Sequence, residues 1–144
     1  SDDNGLLLKL TEAQYGYIAY CINTGRKKEA RKWLDKAEEN ITILLEAYPS
    51  SSRVYGLKGA LLGYRVILEP LKAPFYGRKS IIANRTALRL GPEDPRSWME
   101  KANMEFYKPE ILGGSTIRAV PYYQKAKRRT LLFRAERIDY WSTA

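Results

Sequence analysis

The sequence predicts an all-α domain: about three antiparallel helical hairpins, near residues 6–49, 53–91 and 95–130, closed by a C-terminal capping helix near 131–142. Three observations lead there. Apolar residues recur at helical spacing along nearly the whole chain. Proline and glycine interrupt that periodicity at intervals suited to short turns. An aromatic residue followed four positions later by a small one appears three times, as Tyr15/Ala19, Tyr55/Gly59 and Trp98/Ala102.

Tyr15, Ile18, Ala19 and Ile22 fall on one face of a first helix, which Asn23, Thr24 and Gly25 end. Gly25 is suited to the left-handed conformation that terminates helices, because it has no Cβ to clash. From Arg26 a second helix puts Ala30, Trp33, Leu34, Ala37, Ile41, Leu44 and Leu45 on one stripe, with Lys27, Lys28, Arg31, Lys32, Asp35 and Glu39 elsewhere. Pro49 and Ser50 to Ser52 close it. A third helix spans about Arg53 to Glu69 and carries Gly56, Gly59 and Gly63. Each of these costs an isolated helix about 1 kcal/mol relative to alanine, so they mark either a close helix approach or a hinge.

Pro70, Pro74 and Gly77 predict a loop, and a fourth helix follows through Ile81, Ile82, Ala83, Ala87 and Leu88 to Gly91 and Pro92. Asp94 as cap and Pro95 as first helical residue open a fifth helix with Trp98, Met99, Ala102 and Phe106. Pro109, Gly113 and Gly114 end it in a loop. A sixth helix holds Ala119, Val120, Tyr122, Tyr123 and Ala126 and must begin near Pro121, since proline breaks helix interiors. The tail from Leu131 to Trp141, with Leu132, Phe133, Ile138 and Tyr140, predicts a seventh helix that would cover the open end of the stack.

The aromatic-small pairs step by 40 and then 43 residues. Other offsets agree with that repeat. Pro49 precedes Tyr55 by six positions and Pro92 precedes Trp98 by six, while Pro70 precedes Ala87 and Pro109 precedes Ala126 by 17. This pattern resembles the tetratricopeptide repeat family, whose hairpins place an aromatic and then a small residue in the first helix, an alanine late in the second and a proline after it. The third hairpin fits best, through Trp98, Ala102 and Ala126. The family's repeat is about 34 residues, so the longer step here implies insertions, placed at Pro70 to Gly77 and Pro109 to Gly114. The stretch from Tyr107 to Gly114 is similar to the Gly-Gly loop of a divergent bacterial group, many of them exported. A chain opening on Ser1, Asp2 and Asp3 reads as trimmed, and an exported location would follow if a targeting segment preceded Ser1.

The resemblance implies a right-handed solenoid that binds a protein or peptide without catalysis, in a concave groove lined by the first helix of each hairpin. It places toward that groove Ala13, Gly16 and Tyr20 in the first hairpin. The matching residues are Arg53, Gly56 and Ala60 in the second, and Arg96, Met99 and Asn103 in the third. On this reading Arg53, Arg96 and Asn103 receive a carboxylate, and Tyr20 and Met99 make apolar contacts.

Composition narrows the alternatives. At 144 residues, 44% hydrophobic and 28% charged, the chain is of ordinary globular make-up. Apolar runs such as Ala60 to Tyr64 fall far short of the roughly 20 residues a membrane span needs. With no histidine and one cysteine, histidine-based triads and metal sites are excluded. No metal or cofactor is expected, and Cys21, among Ile18, Ala19 and Ile22, suits a core position. Neither Gly113-Gly114 nor Gly56 to Gly63 has the form of a phosphate loop. The net charge of +9 is uneven: residues 1–49 carry seven basic and eight acidic side chains, 50–94 eight and three, and 95–144 ten and five. Lys125, Lys127, Arg128 and Arg129, followed by Arg134 and Arg137, form the densest basic run. The alternative function is therefore binding of nucleic acid or an anionic surface through the C-terminal half, against the plainer reading of a solvated helix end.

Overall fold

A computed structural model describes the backbone of residues 2–107 and 115–143, and within these the side chains of 3–106 and 115–132. The described residues are all-helical, with no strand: α1 (Asp2–Asn23), α2 (Lys27–Ala47), α3 (Ser52–Leu68), α4 (Ala73–Leu90), α5 (Pro95–Tyr107) and α6 (Thr116–Thr143), plus a 3-10 turn at Pro70–Lys72. Each helix packs most closely on its sequence neighbour, α1 on α2, α3 on α4 and α5 on α6. Helix α3 is central and also touches α1, α2 and α5.

Local chemistry sets most boundaries. Gly25 takes φ 76°, and around it Gly25 N–H donates to Ile22 O (3.2 Å) and Arg26 N–H to Cys21 O (2.7 Å). These two bonds satisfy carbonyls that the end of α1 would otherwise orphan. Ser51 caps α3 by accepting from Val54 N–H at 3.2 Å, and Asp94 caps α5 by accepting from Arg96 N–H at 2.9 Å. The stripe expected on α2 is its buried face, through Ala30, Leu34, Ala37, Ile41 and Leu44. It meets Ile18 and Cys21 of α1 and Val54, Leu61 and Leu68 of α3 in the main core. Cys21 is fully buried there.

Three boundaries differ from expectation. Residues Pro70 to Gly77 are not a loop, because after the 3-10 turn Pro74 sits in the first turn of α4, where a missing N–H leaves no bond unmade. The sixth and seventh helices are one, α6, so the capping segment 131–142 continues the same helix. Nothing between Lys125 and Tyr140 breaks a helix, and Thr130 hydroxyl donates back to Ala126 O at 2.9 Å. Pro121 lies inside α6, whose start is fixed five residues earlier by Ser115 accepting from Arg118 N–H at 3.1 Å. The carbonyl that loses a partner to Pro121 belongs to Ile117, which is 81% exposed and open to water. Pro109, Gly113 and Gly114 lie outside the described residues.

Of the three α3 glycines, Gly59 is the one that permits a close approach. A Cβ there would stand 3.3 Å from Ser80 O and 3.5 Å from Asn84 N on α4, and Ser80 hydroxyl donates to Gly59 O at 2.7 Å. Gly63 has open space around it. Gly63→Ala is therefore expected to stabilise the fold by about 0.5–1 kcal/mol, whereas Gly59→Leu costs about 1–3 kcal/mol or more. Paired urea melts read both signs, and equal shifts would contradict the α3–α4 packing.

Candidate functional site

Helices α1, α3 and α5 together enclose an open cleft of about 540 Å³. Helix α3 presents Arg53, Gly56, Leu57 and Ala60, α5 presents Arg96, Met99 and Glu100, α1 presents Glu12 and Tyr15, and Thr130 of α6 reaches its edge. Leu57, Ala60, Met99 and Pro95 give it an apolar wall.

Its polar centre is Glu12. The Arg53 guanidinium grips that carboxylate with two bonds, Nε at 2.5 Å and Nη2 at 2.7 Å, and Arg96 Nη1 adds one at 3.3 Å. The fork from Arg53, opposed by partial burial and aided by Arg96, holds the Glu12 carboxyl below its ordinary range. Glu12 in turn raises the pKa of Arg53. The carboxylate expected from a ligand at Arg53 is thus supplied by α1. Arg96 is the cation left with capacity for a ligand, since it is 63% exposed and holds Glu12 by one long bond.

Glu100 behaves in the opposite way. It lies one turn beyond Arg96 on α5, yet Arg96 turns to Glu12, and no cation pairs with Glu100 among the described residues. Burial pushes its carboxyl up to about 7. Tyr15 and Tyr64 flank it, stacked on each other at 4.9 Å, and both phenols are raised, chiefly by burial and also by the Glu100 charge. Ser97, buried beside the cleft, has an Oγ with no partner among the described residues.

The structure brings Arg53, Arg96 and Met99 together and leaves Tyr20 and Asn103 elsewhere. Tyr20 is half exposed, stacks on Tyr17 and carries Arg26 over its ring at 5.7 Å. Asn103 accepts from Tyr123 hydroxyl at 2.8 Å and so faces α6. Ala13 and Gly16 are also off the cleft. Register explains the division: Tyr15 turns inward to Tyr64, which rotates α1 so that Glu12 and Tyr15 face the cleft in their place. Glu12 and Glu100 escaped sequence reasoning. Glu12 has no local signal, being 41 positions from Arg53; Glu100 sits two residues after Trp98, a spacing outside the expected set.

The basic run on α6 divides by face. Lys125 Nζ lies 3.8 Å from the centroid of the Trp98 ring, which stacks on Tyr122, and Lys101 lies over Tyr122 at 4.7 Å. Arg129 pairs with Glu93. Trp98 is itself oriented by Nε1 donating to Pro92 O at 2.8 Å. Lys127 and Arg128 are exposed and form no ion pair among the described residues, so the expected patch is split between an internal clamp and two solvent-facing cations. The side chains of Arg134 and Arg137 lie outside the described residues.

Among the described residues no group of His, Cys, Asp or Glu is arranged to hold a metal, and no helix is long and apolar enough to cross a membrane. Comparison with protein-family models, curated proteins and solved structures finds no match to this chain.

Proposed function

We infer that this chain is a non-catalytic scaffold of the tetratricopeptide type, in which α1–α2, α3–α4 and α5–α6 form a right-handed stack of hairpins and the α1/α3/α5 cleft receives a peptide. The observation that carries this reading is the cleft itself: it is formed by the first helix of each pair, with an apolar wall between one available cation and one unpaired carboxyl. A peptide segment there lays an apolar side chain on Leu57, Ala60 and Met99, offers a carboxylate to Arg96 and a basic group to Glu100. Deprotonated Glu100 pairs with a ligand cation, and protonated Glu100 does not. Binding of peptides with a lysine in that position is therefore stronger at pH 8 than at pH 6, since the carboxyl ionises near 7. The other charged groups in the cleft are Glu12, Arg53, Arg96 and Asp94. Glu12 is held below its ordinary value and Arg53 above it, so neither changes charge across that range.

The test is selection from a random peptide library on the purified chain, followed by calorimetry with variants. Met99→Trp, at a 42% exposed position, fills the cleft without entering the core and should weaken binding about tenfold or more. Arg96→Ala should cost about three- to tenfold, and Lys127→Ala with Arg128→Ala nothing. Selected peptides that bind Met99→Trp as well as the parent would remove the cleft from consideration. The alternative, nucleic-acid binding through the C-terminal half, is weakened by the internal engagement of Lys125 and Arg129. Single-stranded RNA is expected to bind loosely and to dissociate with added salt; a tight complex persisting at high salt would favour that alternative.

A further inference from the structure

The outward face of α4, away from the cleft, has a composition that peptide binding does not require. From Ala73 to Leu90 the helix contains four basic residues, Arg78, Lys79, Arg85 and Arg89, and no acidic one. At 100° per residue these four, together with Phe75 and Ile82, fall within about 120° of one another. Ser80, Ala83, Asn84 and Ala87, the buried residues of α4, occupy the opposite side. The four cations are exposed, and none of them forms an ion pair among the described residues.

Charge is only half of the pattern. Phe75 and Ile82 are 56% and 53% exposed, and Leu71, in the 3-10 turn leading into α4, is 99% exposed. Ile67, at the adjoining end of α3, is half exposed as well. On the helical wheel Phe75 and Ile82 run down the middle, with Lys79 on one flank and Arg78 and Arg85 on the other. Lys79 Nζ lies over the Phe75 ring, 4.4 Å from its centroid, a cation–π contact that sets a charge directly against the apolar stripe. Helix α3, on which α4 chiefly packs, brings no compensating charge. Helix α3 has no acidic residue, and Glu69 at its end is held by Arg65 at 3.3 Å.

An apolar ridge bordered on both sides by unpaired cations matches the boundary between phosphate headgroups and acyl chains. Nucleic acid would use the cations but has no apolar phase for Leu71, Phe75 and Ile82. We propose that this face docks peripherally on an anionic lipid surface, with Leu71 and Phe75 entering the headgroup boundary and Arg78, Lys79, Arg85 and Arg89 meeting lipid phosphates. Helix α4 then lies in the plane of the surface, and the cleft remains free.

The experiment is co-sedimentation of the intact chain with vesicles of phosphatidylcholine alone and of phosphatidylcholine mixed with phosphatidylglycerol. Binding is expected to the anionic vesicles only, to weaken with salt, and to fall about tenfold or more in Arg85→Gln with Arg89→Gln. Leu71→Ser with Phe75→Ser should lose about as much while keeping every charge. All four positions are exposed, so parental melting temperatures confirm that the variants are folded. A Leu71→Cys chain carrying an environment-sensitive dye, with Cys21 protected by burial, should shift to the blue on anionic vesicles. The proposal is overturned by no binding to anionic vesicles, by equal binding to neutral ones, or by no blue shift. It is equally overturned if Lys127→Gln with Arg128→Gln abolishes vesicle binding while the α4 variants bind normally. Tight binding of RNA through the α4 arginines, unaffected by Leu71→Ser with Phe75→Ser, would assign the face to nucleic acid instead.

Discussion

Replacing Arg65 by methionine is expected to destabilise the chain by about 2–4 kcal/mol, a large fraction of the stability of a domain this size. Arg65 is buried in the middle of the fold and ties α3 to α2. Its Nε donates to Glu38 at 2.9 Å and its Nη2 to the second Glu38 oxygen at 3.1 Å, both on α2; Nη2 also pairs with Asp35 of that helix. Nη1 reaches Glu69, the residue that ends α3, at 3.3 Å. Burial works against the guanidinium charge, but the hydrogen bonds it donates to Glu38 and Asp35, with their negative charges, more than offset that and raise the pKa of Arg65. Methionine keeps much of the packed stem and removes the cation, leaving three carboxylates facing one another. Asp35 is mostly exposed and rehydrates readily, which holds the loss below that of a fully buried pair. Glu38→Gln in the Arg65→Met background should recover part of the loss, because the two positions are coupled. Urea melts of the two single variants and the double variant read this directly. Parental stability in Arg65→Met would mean that the α2–α3 clamp carries no net energy.

Such a clamp shows where sequence reasoning stops. The face of α2, the Gly25 turn and the Asp94-Pro95 start of α5 are all written within a few residues, because helical periodicity and capping are local. Local signals also misled. Pro74 and Pro121 looked like boundaries, yet one occupies a first turn and the other breaks a bond whose carbonyl is open to water. The cleft was legible to the extent that α3 and α5 keep a common register, which is why Arg53, Arg96 and Met99 converge. It was illegible where contacts join distant segments, as Glu12 joins Arg53, and where one aromatic, Tyr15, turns α1 by packing on Tyr64. The uneven charge of the chain was visible, but its location was not. The C-terminal run spends Lys125 and Arg129 on α5 and its flank, while α4 carries four exposed cations on one face.

Ala102→Trp is expected to cost about 3 kcal/mol or more, at or above the upper end for overpacking, because the site has no room to yield. Helices α5 and α6 pack closely, and among the described residues the hydrophobic side chains they bury completely are alanines: Ala102 on α5, and Ala119 and Ala126 on α6. Small side chains let the two axes approach, so an indole in place of a methyl must push them apart. Trp98, one turn earlier on α5, cannot move aside cheaply. Its ring is fixed between Tyr122 and Lys125, and its Nε1 is bonded to Pro92 O. Displacing α6 would further loosen the Arg129–Glu93 pair and Tyr123 hydroxyl on Asn103. The control is Lys127→Ala on the solvent side of α6, which should change stability by less than about 0.5 kcal/mol. Thermal melts of both variants, with near-ultraviolet circular dichroism to follow the Trp98–Tyr122 stack, separate local disruption from global loss. If Ala102→Trp melted like the parent with that stack intact, α5 and α6 would not meet at Ala102, and the aromatic-small register joining Trp98 to Tyr55 and Tyr15 would lose its structural basis.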